Sequence, residues 1–279
     1  MELSLLQSLI LGLVSGLAEV LPVSAQAHRL VMLRMFGMNG DSAVLRLMIH
    51  IATVAALYFY CKGHIVRMMR AQRLVRIPKN RRKRPVDTDA LMDFNLLRTT
   101  LIPIILGLVA YTKLSGLAEK PVLVAALMLL NGVILYTPQY LPGANKDSGA
   151  LSRVDSLYFG LGGILGVLPG ISGIGSAVSI GSVRGMESRK ALSLALVMNI
   201  PVNIGLAVMD LIALLQAGAG SLSFTALLFS LFAGAAAFVG IIVGINLLKK
   251  ITENIGWSVF GFYCWGAALL TFVLYLMAA

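Results

Sequence analysis

Long apolar runs dominate the chain, and the polar positions between them are few. About 20 apolar residues span the hydrocarbon core of a bilayer, and six runs are long enough or nearly so. They lie at about 45–61, 99–112, 121–141, 190–216, 222–248 and 256–278. The pattern predicts an all-α polytopic membrane protein with about six transmembrane helices.

Two further apolar segments, 4–37 and 156–184, are broken in the middle by proline and small residues. The breaks read LPVSAQA at 21–27 and LPGISGIGSA at 168–177. Non-helical backbone at membrane depth is tolerated only where it is buried in protein or lines a cavity. Both segments are therefore predicted to be re-entrant helix pairs, each entering and leaving the membrane on one side.

The two broken segments resemble each other. A shift of 147 positions aligns Val20 with Val167 and the pair Leu21–Pro22 with Leu168–Pro169. Each segment is followed by three predicted crossings. This weak internal symmetry indicates a repeat built around discontinuous helices.

Charge sets the predicted orientation. The segment 62–84 holds ten Lys and Arg within a predicted loop, 62–95, and the positive-inside rule places that loop in the cytoplasm. Counting crossings from there opens the first broken segment to the outer face. An odd number of crossings in each half makes the repeats inverted, so the single membrane domain, 1–279, is predicted to consist of repeats 1–141 and 156–279.

Composition agrees with a membrane location. The chain is 58% hydrophobic and only 13% charged, whereas about a quarter of the residues of a soluble domain are charged. The net charge of +11 is explained by topology and by attraction to anionic lipid, which excludes a nucleic-acid partner and leaves the bilayer as the expected one.

Ionisable side chains inside the hydrocarbon region are expensive and are functional candidates by default. Glu19 stands three residues before Pro22, and Ser24 and His28 follow it. We expect Glu19 and His28 to meet at the tip of the first broken segment and to line a polar pocket reached from the outer face. The alternative is that they only satisfy each other and the broken backbone.

The second broken segment offers hydroxyls and free N–H groups, which suit an anion. The candidates for binding a phosphate are Ser172, Gly173, Gly175 and Ser176. Two further polar residues, His50 and Asp210, are interpreted as structural. A lone histidine on an apolar helix is usually a hydrogen-bonded core residue, and Asp210 lies near the expected outer interface.

The pattern GLVSGLAEVLPVSAQAH, followed by LPGISGIGSAVS, resembles the undecaprenyl-pyrophosphate phosphatase family, also called the bacitracin-resistance proteins. The resemblance implies inverted repeats with two re-entrant pairs and six crossings. It also implies removal of one phosphate from undecaprenyl pyrophosphate at the outer face of the bacterial cytoplasmic membrane, which recycles the lipid carrier of cell-wall synthesis. A divalent metal, Mg²⁺ or Ca²⁺, with Glu19 as a ligand follows from the resemblance alone, and a homodimer is left open.

The first motif of that family is only partly present. Its second glutamate, its first serine and its histidine match Glu19, Ser24 and His28. Its first glutamate falls at Ser15, and its second serine, often proposed as the nucleophile, falls at Ala25. The resemblance therefore makes Glu19, Ser24 and His28 the expected catalytic residues.

The second motif is also incomplete. The pair Pro169–Gly170, Ser172 and Gly175 match, but the motif's arginine falls at Gly173 and its second serine at Ile174. Arginine can bind phosphate oxygens through two hydrogen bonds and stabilise developing charge. A basic residue such as Arg29 could replace it, but nothing in the sequence places Arg29 at the site.

Two functions are consistent with these residues. The first is a membrane phosphatase with an altered active site, in which His28 is the nucleophile or the base for Ser24 or a water molecule. The second is a non-hydrolytic relative that binds or translocates polyprenyl phosphate or another solute, because broken helices that meet at mid-depth also build transporters.

Overall fold

The computed structural model describes residues 3–38, 40–140, 146, 150–218 and 223–278. The chain is 85% helical, and these residues contain no β-strand. This confirms the predicted all-α class. The predicted span limits at positions 141 and 222 and the repeat limits at 1, 141 and 279 lie outside the described residues.

Ten α-helices run through the described residues, and six of them begin after a serine whose hydroxyl accepts a hydrogen bond from the first turn. Such caps satisfy amide groups that have no acceptor inside the helix. The helices are α1 (Leu5–Val20), α2 (Ala25–Met35), α3 (Ala43–Val75), α4 (Thr88–Leu114), α5 (Pro121–Tyr136), α6 (Arg153–Ile164), α7 (Gly173–Val183), α8 (Ser188–Ala217), α9 (Phe224–Asn254) and α10 (Val259–Ala278).

Six helices of the described ranges are long and apolar enough to cross a membrane: α3, α4, α5 with a short 3₁₀ extension to Tyr140, α8, α9 and α10. They correspond to the six predicted crossings. Large apolar side chains point outward from them, for example Leu106 and Val109 of α4, which are 66% and 68% exposed. The protein is thus a multi-pass membrane protein.

The basic segment differs from its prediction as a loop over 62–95. Helix α3 continues to Val75, and α4 begins at Thr88, so only residues 76–87 connect them. Lys and Arg are good helix formers, and no proline follows until Pro78, so nothing ends the helix at the membrane boundary. At 33 residues, α3 is about 50 Å long, more than the bilayer core requires.

Both predicted helix breaks are present. Helix α1 ends at Val20, before the Leu21–Pro22 pair, and α2 begins after Ser24. In the second segment α6 passes into a 3₁₀ turn that ends at Val167, and α7 begins after Ser172. The residue before a proline avoids the helical conformation, which places each break where the sequence has its proline.

The second break is one residue longer than the first. The two helix ends, Val20 and Val167, differ by 147 positions, but the two capping serines, Ser24 and Ser172, differ by 148. Gly170 has a φ of +114°, which is strained for any residue with a side chain. Glycine at this position lets the longer break turn within a similar space.

Helix packing relates the two halves of the chain. Helix α1 packs along α9, and its counterpart α6 packs along α4; the pairs α3 with α8 and α5 with α10 also pack extensively. Exchanging the first five helices with the last five leaves this set of pairs unchanged. This exchange holds for these four pairs, and the two inverted repeats stay a prediction.

The α1–α9 interface depends on glycine. A Cβ added at Gly12 would lie 2.1 Å from the carbonyl oxygen of Ala233, and one at Gly16 would lie 2.2 Å from that of Ala237. On the facing helix, a Cβ at Gly240 would lie 2.5 Å from the carbonyl oxygen of Leu13. Small residues let membrane helices approach closely and pack through their backbones.

We expect Gly16→Ala to force α1 and α9 apart and to lower the free energy of unfolding by about 1–3 kcal/mol, the usual cost of overpacking. The measurement is the midpoint of thermal unfolding in detergent. The control is Gly266→Ala in α10, where an added Cβ meets nothing within 4 Å. An equal midpoint for both variants would contradict the close packing of α1 on α9.

Candidate active site

The two helix breaks face each other and are joined by Asn131 of α5. Its side-chain Nδ2 donates to the carbonyl oxygen of Pro22 at 3.3 Å, and its Oδ1 accepts from the amide of Ser172 at 2.9 Å. Asn131 is fully buried. One amide side chain therefore satisfies a backbone acceptor in the first break and a backbone donor in the second.

Ser24 makes the second link between the breaks. Its Oγ accepts from the amide of Gly170 at 2.9 Å and from the amide of Ala27, in its own helix, at 3.3 Å. The side chain is buried and does not line the cavity described next. Ser24, predicted to be catalytic, thus caps α2 and fixes the second break.

A polar cavity of about 60 Å³ lies beside the breaks, with room for a few water molecules. Its walls come from both broken segments and from α3, α4 and α8. The polar side chains of the lining are Glu19, Gln26, Arg29, His50, Tyr111, Ser172, Asn199 and Asn203.

Glu19 lines this cavity, as predicted for a polar pocket at the first break. It lies within electrostatic range of His50 and Arg29, both of which line the same cavity. The last turn of α1 places its carboxylate directly before the break. The first ionisable candidate therefore shares the cavity with two basic side chains from other helices.

His28 does not line the cavity, in contrast to its expected meeting with Glu19. Its Nδ1 donates to the carbonyl oxygen of Ser24 at 2.7 Å, and its Nε2 lies 2.8 Å from the hydroxyl of Tyr263 in α10. The two rings also stack, with centroids 5.7 Å apart. Successive helical residues point about 100° apart, so the turn that directs Arg29 into the cavity directs His28 to α10.

Arg29 is the cavity residue whose place the sequence could not fix. It is only 3% exposed, and its Nε donates to Asp41 Oδ2 at 2.5 Å. Its terminal nitrogens make no hydrogen bond to any residue in the described ranges, and the residue lines the cavity. A charge-paired guanidinium therefore presents free donors to the space beside Glu19.

His50 and Asp210 form a buried pair across α3 and α8. His50 Nδ1 lies 2.8 Å from Asp210 Oδ2, and the other carboxylate oxygen accepts from Arg46 Nε at 2.7 Å. Both residues are at most 5% exposed, so His50 is a hydrogen-bonded core residue, as interpreted, and Asp210, interpreted as a structural residue near the outer interface, is its buried partner. His50 also lines the cavity, which the sequence did not indicate.

Comparison with known proteins identifies the family. Residues 8–270 match the family model described as bacitracin resistance protein BacA. The chain belongs to this family. It is 28% identical to undecaprenyl-diphosphatase 1 of Shouchella clausii, over 97% of this chain and 96% of the relative. Identity is 27% with undecaprenyl-diphosphatase of Methanobrevibacter smithii, over 97% and 98% of the two chains. It is 25% with that of Thermosipho melanesiensis, over 95% and 98%.

The residues of the second break divide into two groups in this BacA-family chain. Ser172 and Gly173, two of the predicted phosphate-binding candidates, line the cavity. Gly175 and Ser176 do not: a Cβ at Gly175 would touch Leu135, and Ser176 is fully buried. The first turn of α7, and not its whole glycine-rich segment, faces the cavity.

At position 173, where the second family motif has its arginine, this chain has a glycine that is packed against neighbouring backbone. A Cβ at Gly173 would lie 2.5 Å from the carbonyl oxygen of Gly163, so this backbone leaves no room for a side chain there. The guanidinium of the cavity comes from Arg29 instead, on the other broken segment.

The side chains that line the cavity can supply only some of the ligands that a divalent metal needs. No group of three or more His, Cys, Asp or Glu side chains suited to a metal occurs in the described residues. Mg²⁺, however, is commonly held by one or two carboxylates together with substrate phosphates and water. Glu19 supplies one carboxylate, and the buried Asn203 Oδ1 has no hydrogen-bond partner in the described residues. These oxygens suit a cation that arrives with a diphosphate.

We expect Asn131→Leu to lower the free energy of unfolding by about 2–4 kcal/mol, because it leaves buried backbone groups of both breaks without partners. The measurement is thermal unfolding in detergent. Asn254→Leu is the control, since Asn254 is exposed at the end of α9. Equal midpoints for the two variants would show that Asn131 does not hold the breaks together.

Proposed function

We propose that this chain hydrolyses undecaprenyl diphosphate, releasing inorganic phosphate and leaving undecaprenyl phosphate. This activity is that of an undecaprenyl-diphosphatase, which is the name given to its relatives. Family membership and the multi-pass helical fold support it. The observation that carries it is the cavity that Arg29, Glu19 and the first turn of α7 all line.

Arg29 is the group proposed to bind the terminal phosphate. A planar guanidinium can donate two parallel hydrogen bonds to phosphate oxygens, and such charge-assisted bonds are strong. Asp41 holds the Nε edge of Arg29, which fixes the guanidinium plane before substrate arrives. The free terminal nitrogens then need no rearrangement to meet the phosphate.

The first turn of α7 adds neutral donors. The first amide groups of an α-helix have no acceptor inside the helix, and the helix dipole favours an anion there. The Ser172 hydroxyl accepts from the amide of Gly175, which leaves the amides of Gly173 and Ile174 for a ligand. An anion between Arg29 and this turn would therefore meet positive potential from two directions.

Glu19, with Asn203 Oδ1, would hold a divalent cation that accompanies the diphosphate. Such a cation supplies charge neutralisation on the phosphate oxygens. Glu19 also balances the positive charge of Arg29 when no substrate is bound. The preference for Mg²⁺ or Ca²⁺ is taken from the family resemblance and stays a prediction, as does the homodimer.

We also propose the orientation of the chain in the bacterial cytoplasmic membrane. The basic end of α3 and residues 76–87 lie in the cytoplasm, the repeats are inverted, and both broken segments are re-entrant. The exchange-symmetric helix packing and the distribution of Lys and Arg support this arrangement. The cavity then opens toward the outer face.

The activity is tested by phosphate release from undecaprenyl diphosphate by the purified protein in detergent, with Mg²⁺, with Ca²⁺ and with a chelator. We expect metal-dependent release that Glu19→Gln and Arg29→Gln each reduce about 10²–10³-fold, the usual effect of removing a charge-stabilising group. The matched control is Arg34→Gln, which removes an exposed arginine of the same helix. Arg29→Lys keeps the charge beside Asp41 and should retain more activity than Arg29→Gln.

Absence of release by the folded wild-type protein would contradict the phosphatase and leave lipid binding or translocation. Thermal unfolding shows whether the Arg29→Gln variant is folded. If the folded variant still releases phosphate, the phosphatase activity stands but Arg29 is not part of the active site. Release that the chelator does not affect would exclude the metal.

The orientation is tested with single cysteines placed in a variant that lacks Cys61 and Cys264. A membrane-impermeant maleimide should label Lys120→Cys on intact spheroplasts, and Lys79→Cys only after permeabilisation. Both positions are exposed, so labelling reports the side of the membrane. The opposite labelling pattern would reverse the proposed topology.

A further inference from the structure

His50 has one ring nitrogen bound to a carboxylate and the other available to the cavity. A carboxylate can only accept hydrogen bonds, so the contact of 2.8 Å to Asp210 Oδ2 requires the proton to be on Nδ1. In the neutral ring, Nε2 then carries a lone pair. His50 lines the cavity, and Nε2 makes no hydrogen bond to a residue in the described ranges.

We propose that His50 is a catalytic residue, the general base that takes a proton from the attacking water. The inference rests on the proposed phosphatase function and names a base that the two broken segments do not contain. A general base needs an oriented ring with a free nitrogen beside the reacting atoms. His50 has the oriented ring and the free nitrogen, and it lines the cavity proposed to bind the phosphate, with Asp210 as its positioning residue.

The ring is held by ion pairs that are connected through one hydrogen bond to a backbone carbonyl. Asp210 also accepts from Arg46 Nε at 2.7 Å, and Arg46 Nη1 donates to the carbonyl oxygen of Asp41 at 2.8 Å. Asp41 in turn pairs with Arg29. The proposed base and the proposed phosphate-binding residue are therefore linked through one network, in which only Arg46 is partly exposed, and this network fixes their relative position.

The two catalytic candidates that follow Pro22, His28 and Ser24, have no free group comparable to His50 Nε2. Both ring nitrogens of His28 are occupied, by the carbonyl oxygen of Ser24 and by the hydroxyl of Tyr263. The Ser24 oxygen accepts two amide hydrogen bonds and lies outside the cavity lining. Of the chain's three histidines, His50 is the one that lines this cavity.

The proposed step is an in-line displacement by water. The water oxygen forms a bond to the terminal phosphorus while its proton moves to His50 Nε2. The bond between that phosphorus and the bridging oxygen breaks, and its electron pair leaves with undecaprenyl phosphate. Arg29 donates to the terminal phosphate oxygens throughout. Asp210 stabilises the imidazolium, which then returns its proton to solvent.

The experiment compares single-turnover phosphate release by three histidine variants. We expect His50→Gln to reduce the rate at least 10²-fold, the lower range for loss of a general base. The matched control is His64→Gln. His64 also lies on α3 and also pairs with a carboxylate, Asp93, at 3.1 Å, but it is outside the cavity. His28→Gln should lower the rate far less than His50→Gln.

Chemical rescue separates catalysis from structure. Added imidazole should restore release to His50→Ala, because the truncated side chain leaves space beside Asp210, and should not restore Glu19→Gln. Thermal unfolding in detergent checks that each variant is folded.

The outcomes are distinct. An inactive wild-type protein would overturn the proposed function and this inference together. An active wild type with an equally active His50→Gln would overturn the role of His50 alone. A loss of phosphate release only in His28→Gln would assign the chemistry to His28. A phosphorylated histidine trapped during turnover would show a nucleophile in place of a general base. Either result would also overturn the role of His50.

Discussion

Backbone that leaves the helical conformation inside an apolar bundle has no water to bond, and this constraint organises the centre of the protein. The Asn131 side chain donates a hydrogen bond to Pro22 in one break and accepts one from Ser172 in the other. The Ser24 hydroxyl accepts a hydrogen bond from the amide of Gly170. Each of these bonds runs between different parts of the chain. The two breaks are consequently fixed face to face, and the cavity beside them has walls from both halves.

Buried charges impose a second constraint, because an unpaired charge in an apolar interior costs several kcal/mol. The protein meets this cost with alternating partners: Arg29 with Asp41, Arg46 with Asp210, and Asp210 with His50. The pairing uses only one edge of the Arg29 and His50 side chains. The remaining nitrogens of both can therefore face the cavity without being isolated charges.

The resemblance in motifs and the geometry of the site lead to different residue assignments within one family fold. Gly173, where the motif has arginine, is closed by the carbonyl oxygen of Gly163, and Ser15, where it has a glutamate, is fully buried. Positive charge reaches the cavity from Arg29 instead. The charged groups of this cavity could not be assigned from the motifs alone, so the function has to be argued from the site.

Much of the fold could be predicted from the sequence alone. Hydrophobic run length predicts the six crossings, and Pro22 and Pro169, each within a run of small residues, mark where two helices stop. Proline alone does not decide this, because α4 and α8 continue through Pro103 and Pro201. Glu19 was identified as a carboxylate next to a break. The extension of α3 was missed because the predicted boundary followed the membrane, whereas the helix ends where its own residues allow.

Only the tertiary structure decided which polar side chains share the cavity. Arg29 and His28 are adjacent in sequence, and the cap at Ser24 sets the rotation of α2 that sends one inward and the other to α10. His50 and Asp210 are 160 residues apart and meet because α3 packs along α8. Helix rotation and long-range packing depend on the whole bundle, so no local pattern in the sequence specifies them.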